Sequence, residues 1–123
     1  MSQSHLGEFE EIVLLTVAIL NGEAYGVSII AEIEDRLERN VSLGAIQTVL
    51  KRLEEKEFVK SAFGEATKVR GGKRKRYYEI TAKGQKSLNT VKRQRTSLWN
   101  AIPKGVLKLS SWTDPNLRHH LFC

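Results

Sequence analysis

Six side chains between Lys68 and Arg76 carry positive charge: Lys68, Arg70, Lys73, Arg74, Lys75 and Arg76, with no acidic residue among them. Cations this dense repel one another unless a polyanion neutralises them. Each one that meets a nucleic-acid phosphate releases counterions, with a log–log salt slope of about −0.9 per contact, and arginine also senses the negative potential of a narrow groove. Gly71-Gly72 supplies a turn within the run. The other uses of such a run are a solvated loop or a membrane-surface patch, and the latter is disfavoured by the scarcity of interleaved apolar residues. A second set stands upstream, where Gln47, Thr48 and Lys51 fall on one polar face of a helical pattern. Gln suits bidentate bonding to adenine, and Lys suits a guanine or a phosphate. The small Gly44 and Ala45 let the start of that helix approach a phosphate backbone, where the helix dipole and free N–H groups favour anions. An ordinary solvated helix face is the plain alternative.

Little else in the chain points to catalysis. His5, His119 and His120 lack metal-ligand spacing with Cys123 or with a carboxylate. Gly71-Gly72-Lys73 lacks the spacing of a nucleotide-binding phosphate loop. Glu10-Glu11 and Glu54-Glu55 are neighbours on helices, so the members of each pair do not face each other. No enzyme activity, metal or cofactor is expected.

Those two sets need elements to hold them. The chain has 123 residues, 41% of them hydrophobic, and a formal net charge of +6, which suits one folded domain drawn to polyanions. Leu6, Phe9, Ile12, Val13, Thr16, Val17 and Leu20 recur at helical spacing; Leu14, Leu15, Ala18 and Ile19 make that helix apolar nearly all round, as in a central or shared-interface helix, and Asn21-Gly22 stops it. A second helix is expected from Gly26 to about Arg39, with Ile29, Ile33 and Leu37 in its stripe and Asn40 ending it in the left-handed conformation. Ser42 is placed to cap a third helix that buries Ile46, Val49, Leu50 and Leu53. Phe58 to Phe63 and Arg76 to Ile80 read as paired strands, so that the basic run sits at a hairpin tip. Tyr77 and Tyr78 then point to opposite faces, one of them into the core. Thr81 caps a fourth helix whose stripe of Leu88, Val91, Leu98, Trp99 and Ile102 resembles a heptad seam, and Pro103 ends it.

Three helices, a hairpin with a basic tip and a long final helix are the layout of a winged helix-turn-helix, mainly α with a small β-hairpin. In that class the third helix enters the major groove and the hairpin, or wing, lies along the phosphates. The expected organisation is a DNA-binding domain over 1–80, a C-terminal helix over 81–103 and a tail over 104–123.

With these residues in view the chain resembles the PadR-like family of regulators, in its compact subgroup. The resemblance is carried by LGEFEEIVLLTVAIL from Leu6, AYGVSIIAEIE from Ala24, VSLGAIQTVLKRLEEKEFVKS from Val41 and GGKRKRYYEITAKGQKSL from Gly71. It covers Leu6 to about Leu88. The resemblance implies a homodimer that binds an inverted-repeat operator in double-stranded DNA and represses transcription. By position it puts Ser42, Gly44, Gln47, Thr48 and Lys51 on the recognition helix, and Lys73 to Arg76 on the wing, with Lys68 and Arg70 beside them. It also implies a dimer interface built from the first helix, at Leu6 and Phe9, and from the last, at Leu88, Val91, Leu98 and Trp99. Two positions depart from the family's pattern: many members have Tyr where Gln47 stands and Gly where Glu57 stands. Longer members often use the C-terminal region and the dimer cleft for effector binding, and for this chain, whose C-terminal helical region is short, a small-molecule effector is left open and unidentified.

Two other readings stay open at this stage: a winged-helix module that binds proteins, with the acidic Glu8, Glu10 and Glu11 as a partner surface, and a non-specific DNA-binding protein. Cys123 is the only cysteine, so an internal disulfide is excluded. Met1 to Glu8 has no basic leader, and the apolar run Ile12 to Leu20 is far shorter than the ~20 residues of a membrane span. A cytoplasmic protein, at the nucleoid when bound, is the expectation.

Overall fold

The computed structural model describes residues 5–64 and 74–107. The element order is α1 (Glu8–Leu20), α2 (Gly26–Leu37), α3 (Leu43–Glu55), β1 (Val59–Phe63), β2 (Arg76–Ile80) and α4 (Ala82–Ala101). This is the expected winged-helix arrangement, mainly helical with one antiparallel hairpin. By contact density the chain divides into two compact units, Met1–Val91 and Lys92–Cys123.

Each helix starts where the sequence offers a partner for its free N–H groups. The backbone N–H of Gly7 donates to the Glu10 carboxylate at 2.9 Å, and Glu8, Glu10 and Glu11 crowd the positive end of α1. Ser28 Oγ accepts from the Tyr25 N–H at 2.9 Å at the start of α2, and Ser42 Oγ accepts from the Ala45 N–H at 3.1 Å at the start of α3. Asn21 (φ 43°) and Gly22 (φ 95°) turn the chain out of α1. The end of α2 differs from the sequence expectation. The helix stops at Leu37, and Glu38, not Asn40, takes the left-handed conformation, at φ 52°. Ile29 and Ile33 are buried but Leu37 is 47% exposed, so the core gives out one turn earlier than the stripe suggests.

The core of the first unit lies between α1, α2 and α3. Val13, Leu14 and Val17 from α1 meet Ile29 and Ile33 from α2 and Ile46, Leu50 and Leu53 from α3, with Phe58 closing the base. Each such side chain contributes about 1.5–3 kcal/mol by leaving water. Thr16 is also buried, and its hydroxyl donates to the Ile12 carbonyl at 2.7 Å, which satisfies it within the helix. A partly buried ion pair fastens α1 to the end of α3: Lys56 Nζ lies 2.9 Å from Glu10 Oε1 and also donates to the His5 carbonyl at 2.8 Å. Burial pushes the Glu10 carboxyl up, but the Gly7 N–H, the Lys56 ammonium and the Arg52 charge outweigh it and hold the group below its ordinary value.

β1 and β2 pair antiparallel from Val59↔Ile80 to Phe63↔Arg76. The linker between α1 and α2 adds an unexpected bridge, with the Tyr78 N–H donating to the Ala24 carbonyl at 2.9 Å. The exit from α3 is tight. Phe58 N–H returns to the Leu53 carbonyl at 2.9 Å, which requires Glu57 at φ 67°. Thr81 then joins this corner to α4: its hydroxyl donates to the Glu57 carbonyl at 2.7 Å and accepts the Gly84 N–H at 3.0 Å. α4 ends two residues before Pro103.

Candidate nucleic-acid interface

The third helix is two-faced, as a groove-reading helix must be. Ile46, Val49, Leu50 and Leu53 are buried, while Gly44, Gln47, Thr48 and Lys51 are exposed. Among the described residues, Gln47, Thr48 and Lys51 have no side-chain hydrogen bond or ion pair, so no described partner occupies their polar groups. A Cβ on Gly44 would meet nothing within 4 Å. Packing inside the chain therefore does not call for glycine there, and the space outside it is open. Ser42 is occupied as the N-cap of this helix.

The described wing residues are exposed and lean on aromatic rings. Arg74 and Arg76 both approach Phe63, with guanidinium carbons 5.6 and 5.4 Å from the ring centroid. Lys75 Nζ lies 4.5 Å from the centre of the Tyr25 ring, and Tyr25 packs edge-on to Tyr77 at 5.5 Å. Cation–π contact restricts where these long side chains can go without removing their charge from solvent. Arg74 Nε also donates to the Gly64 carbonyl at 3.1 Å. Lys68, Arg70 and Lys73 lie outside the described residues.

α3 and the β1–β2 hairpin face a common cleft of about 450 Å3, lined by Gln47, Lys51, Glu54, Glu55, Arg76 and Tyr78. The two sets singled out in the sequence are thus brought together through Gln47, Lys51 and Arg76. Glu54 bridges them from the side: its Oε2 accepts from Ser61 Oγ at 2.7 Å, and its Oε1 lies 3.5 Å from Arg76 Nη2. Arg76 Nε in turn donates to Ser61 Oγ at 2.9 Å. Of the two tyrosines, Tyr78 packs against the core and Tyr77 lies against Tyr25. Burial raises the Tyr78 hydroxyl above its ordinary value, Arg76 opposes that and Glu54 adds to it.

Sequence reasoning did not single out Tyr25, Phe63, Glu54 or Ser61 for this region. Strand pairing was the available signal for Phe63 and Ser61, since a hairpin in this register sets Phe63 opposite Arg76 and leaves Ser61 on the same face two residues away. Tyr25 had none, because it meets Lys75 only through the fold.

The residues assigned to a dimer interface have different surroundings. Leu6 is buried in its own chain. Phe9 is half-buried beneath Arg39, whose guanidinium carbon is 5.4 Å from its ring. Leu88 and Val91 are half-buried against the core. Leu98 and Trp99 are 72% and 65% exposed. On α1, Leu15, Ala18 and Ile19 form an exposed apolar stripe at helical spacing. No described helix is long and apolar enough to cross a membrane, and no group of three or more His, Cys, Asp or Glu among the described residues could hold a metal ion.

Comparison with known proteins agrees with this geometry. A PadR family transcription regulator from Clostridium difficile is 30% identical, with 72% of this chain and 91% of that one covered at a TM-score of 0.60. A transcriptional regulator from Clostridium thermocellum is 26% identical over 79% of this chain and 91% of its own, at 0.62. PadR of Bacillus subtilis, crystallised in complex with operator DNA, shares the fold at 18% identity, with 93% of this chain and 62% of that one covered at 0.58. No curated protein sequence matches the chain. The profile of the transcriptional regulator PadR-like family matches residues 14–90, which is most of the first compact unit, and the chain belongs to that family of transcriptional regulators.

Proposed function

We propose that the protein is a homodimeric repressor that binds an inverted-repeat operator, with α3 in the major groove and the wing along the flanking phosphates. The observation that carries this is the polar face of α3, where Gln47, Thr48 and Lys51 stand exposed, without a partner among the described residues, beside Arg76 of β2. Ser42, Gly44, Gln47, Thr48 and Lys51 form the recognition set. Gln47 reads a base edge, Lys51 a guanine or phosphate, and the open side of Gly44 admits the sugar–phosphate backbone. Lys68, Arg70, Lys73, Arg74, Lys75 and Arg76 form the wing set, and those of them that meet phosphates supply affinity without sequence preference. Bacillus subtilis PadR, which shares this fold, is crystallised in complex with operator DNA, and this supports DNA as the partner.

Dimerisation supplies the second half-site, since a two-fold protein reads a two-fold operator. The exposed Leu98 and Trp99 of α4 and the stripe Leu15, Ala18 and Ile19 of α1 support an interface built from these helices. Phe9, Leu88 and Val91 stand at its margin. Repression follows if the operator overlaps a promoter.

Selection from a randomised duplex pool, followed by anisotropy titration at two salt concentrations, tests the proposal. An enriched inverted repeat, bound with an affinity that falls steeply with salt, is the expected result. Salt-sensitive binding without enrichment would leave only non-specific DNA binding, and no binding at either salt would remove the DNA reading of the wing.

A further inference from the structure

We propose that Glu54 is a specificity-determining residue: by engaging Arg76 at the mouth of the recognition cleft, it penalises binding through phosphates alone. The inference rests on the DNA-binding reading above and deepens it. Residues 47, 51, 54 and 55 recur at spacings of three, four and seven, so they share one face of α3. The cleft lined by Gln47, Lys51, Glu54, Glu55 and Arg76 bears this out. The face that presents an amide and an ammonium to DNA therefore also presents two carboxylates, which a phosphate backbone repels.

Glu54 is not idle in that position. One oxygen takes the Ser61 hydroxyl at 2.7 Å, the other sits 3.5 Å from Arg76 Nη2, and Arg76 Nε returns to Ser61 at 2.9 Å. The triangle spans three elements: α3, β1 and β2. The side chains of Arg76 and Glu54 are 48% and 36% exposed, so the pair is open to solvent and to an incoming phosphate. A phosphate that draws on Arg76 must compete with Glu54 for it and leaves that carboxylate less well neutralised. A duplex bound only through its backbone offers nothing to offset this. An operator also supplies base contacts through Gln47, and these fix a docking geometry in which Arg76 can stay with Glu54.

The test is Glu54→Gln, which keeps the shape and the hydrogen-bonding oxygen but removes the charge. Glu55→Gln takes the same charge from the same face with no bond to Arg76, and so controls for net charge. Binding of the full chain to its selected operator and to a randomised duplex is measured across a salt series. For Glu54→Gln, affinity for the random duplex is expected to rise about threefold, the size of an exposed ion-pair effect. Its salt slope should steepen by about 0.9, one further phosphate contact. The operator should gain less, so that discrimination falls, and Glu55→Gln should leave the slope unchanged. Unchanged or weaker binding of the random duplex by Glu54→Gln, or an equal gain on both duplexes, overturns the proposal, and the first of these is what a purely structural role for the pair would give. Wild-type protein that binds neither duplex would instead bring down the DNA-binding reading itself, and this inference with it.

Discussion

Gly84 lies so close under Phe58 that a Cβ on it would stand 2.3 Å from the Phe58 carbonyl oxygen and 2.9 Å from Ile80. The first of these is a backbone atom, which cannot swing aside as a flexible side chain would. The contact joins the start of α4 to the exit of α3, and Thr81 reinforces it through the Glu57 carbonyl. Gly84→Ala would gain about 1 kcal/mol of helix propensity. It would force the two segments apart at a cost of overpacking of about 1–3 kcal/mol or more. A net loss of stability is expected in urea denaturation at fixed protein concentration; a gain would mean the corner relaxes freely.

The same corner holds Glu57 at φ 67°, where a residue with a Cβ is strained. Glu57→Gly should therefore stabilise the protein by about 0.5–1 kcal/mol, although glycine is usually a liability. The lost contact with Lys83 is exposed on both sides and contributes little. Equal or lower stability in the same denaturation experiment would contradict this.

The Glu10–Lys56 pair gives the fold a defined response to acid. The folded state lowers the Glu10 carboxyl below its ordinary value of 4.5, so its stabilising contribution is complete above that pH and is lost as the pH falls through the lowered folded value. Glu10→Gln should cost about 1.5 kcal/mol near pH 7, the contribution of a hydrogen bond to a charged group. The difference from wild type should close as the pH falls through the lowered folded value. A pH-independent difference would assign the effect to packing.

Oligomeric state is best probed where the chain does not bury its own side chains. Leu88 and Val91 pack against the core, so a charge placed there would damage the fold itself. Leu98 and Trp99 are exposed in the single chain. Leu98→Asp with Trp99→Ala should leave the first unit folded and give monomers in sedimentation, with a loss of operator affinity from the missing half-site. A persistent dimer would move the interface elsewhere.

Local chemistry made much of this architecture readable. Ser42 and Thr81 announce helix starts because a hydroxyl there has backbone N–H groups to accept, and both do so. The apolar spacing of Ile46, Val49, Leu50 and Leu53 foretold the buried face of α3, and so its polar one. The β-formers from Arg76 to Ile80 gave β2 its bounds. What stayed hidden depends on neighbours far along the chain. The end of α2 is set by where the core stops, which no residue near Leu37 records. Lys75 over Tyr25 and Arg76 against Glu54 are contacts across 50 and 22 residues, visible only once the hairpin is placed against the start of α2 and against α3. Whether Tyr77 or Tyr78 faced the core was likewise settled by strand register, not by type.

The division of labour between α3 and the wing is tested most directly by two variants on two duplexes. Gln47→Ala and the pair Arg74→Ala with Lys75→Ala would each be titrated against the selected operator and a scrambled duplex of equal length. The account predicts that Gln47→Ala loses about 1–3 kcal/mol on the operator and almost nothing on the scrambled duplex. The wing pair should weaken both alike and reduce the salt slope by about 0.9 for each phosphate contact removed. Equal losses by both variants on both duplexes would contradict the claim that α3 reads sequence while the wing holds phosphates.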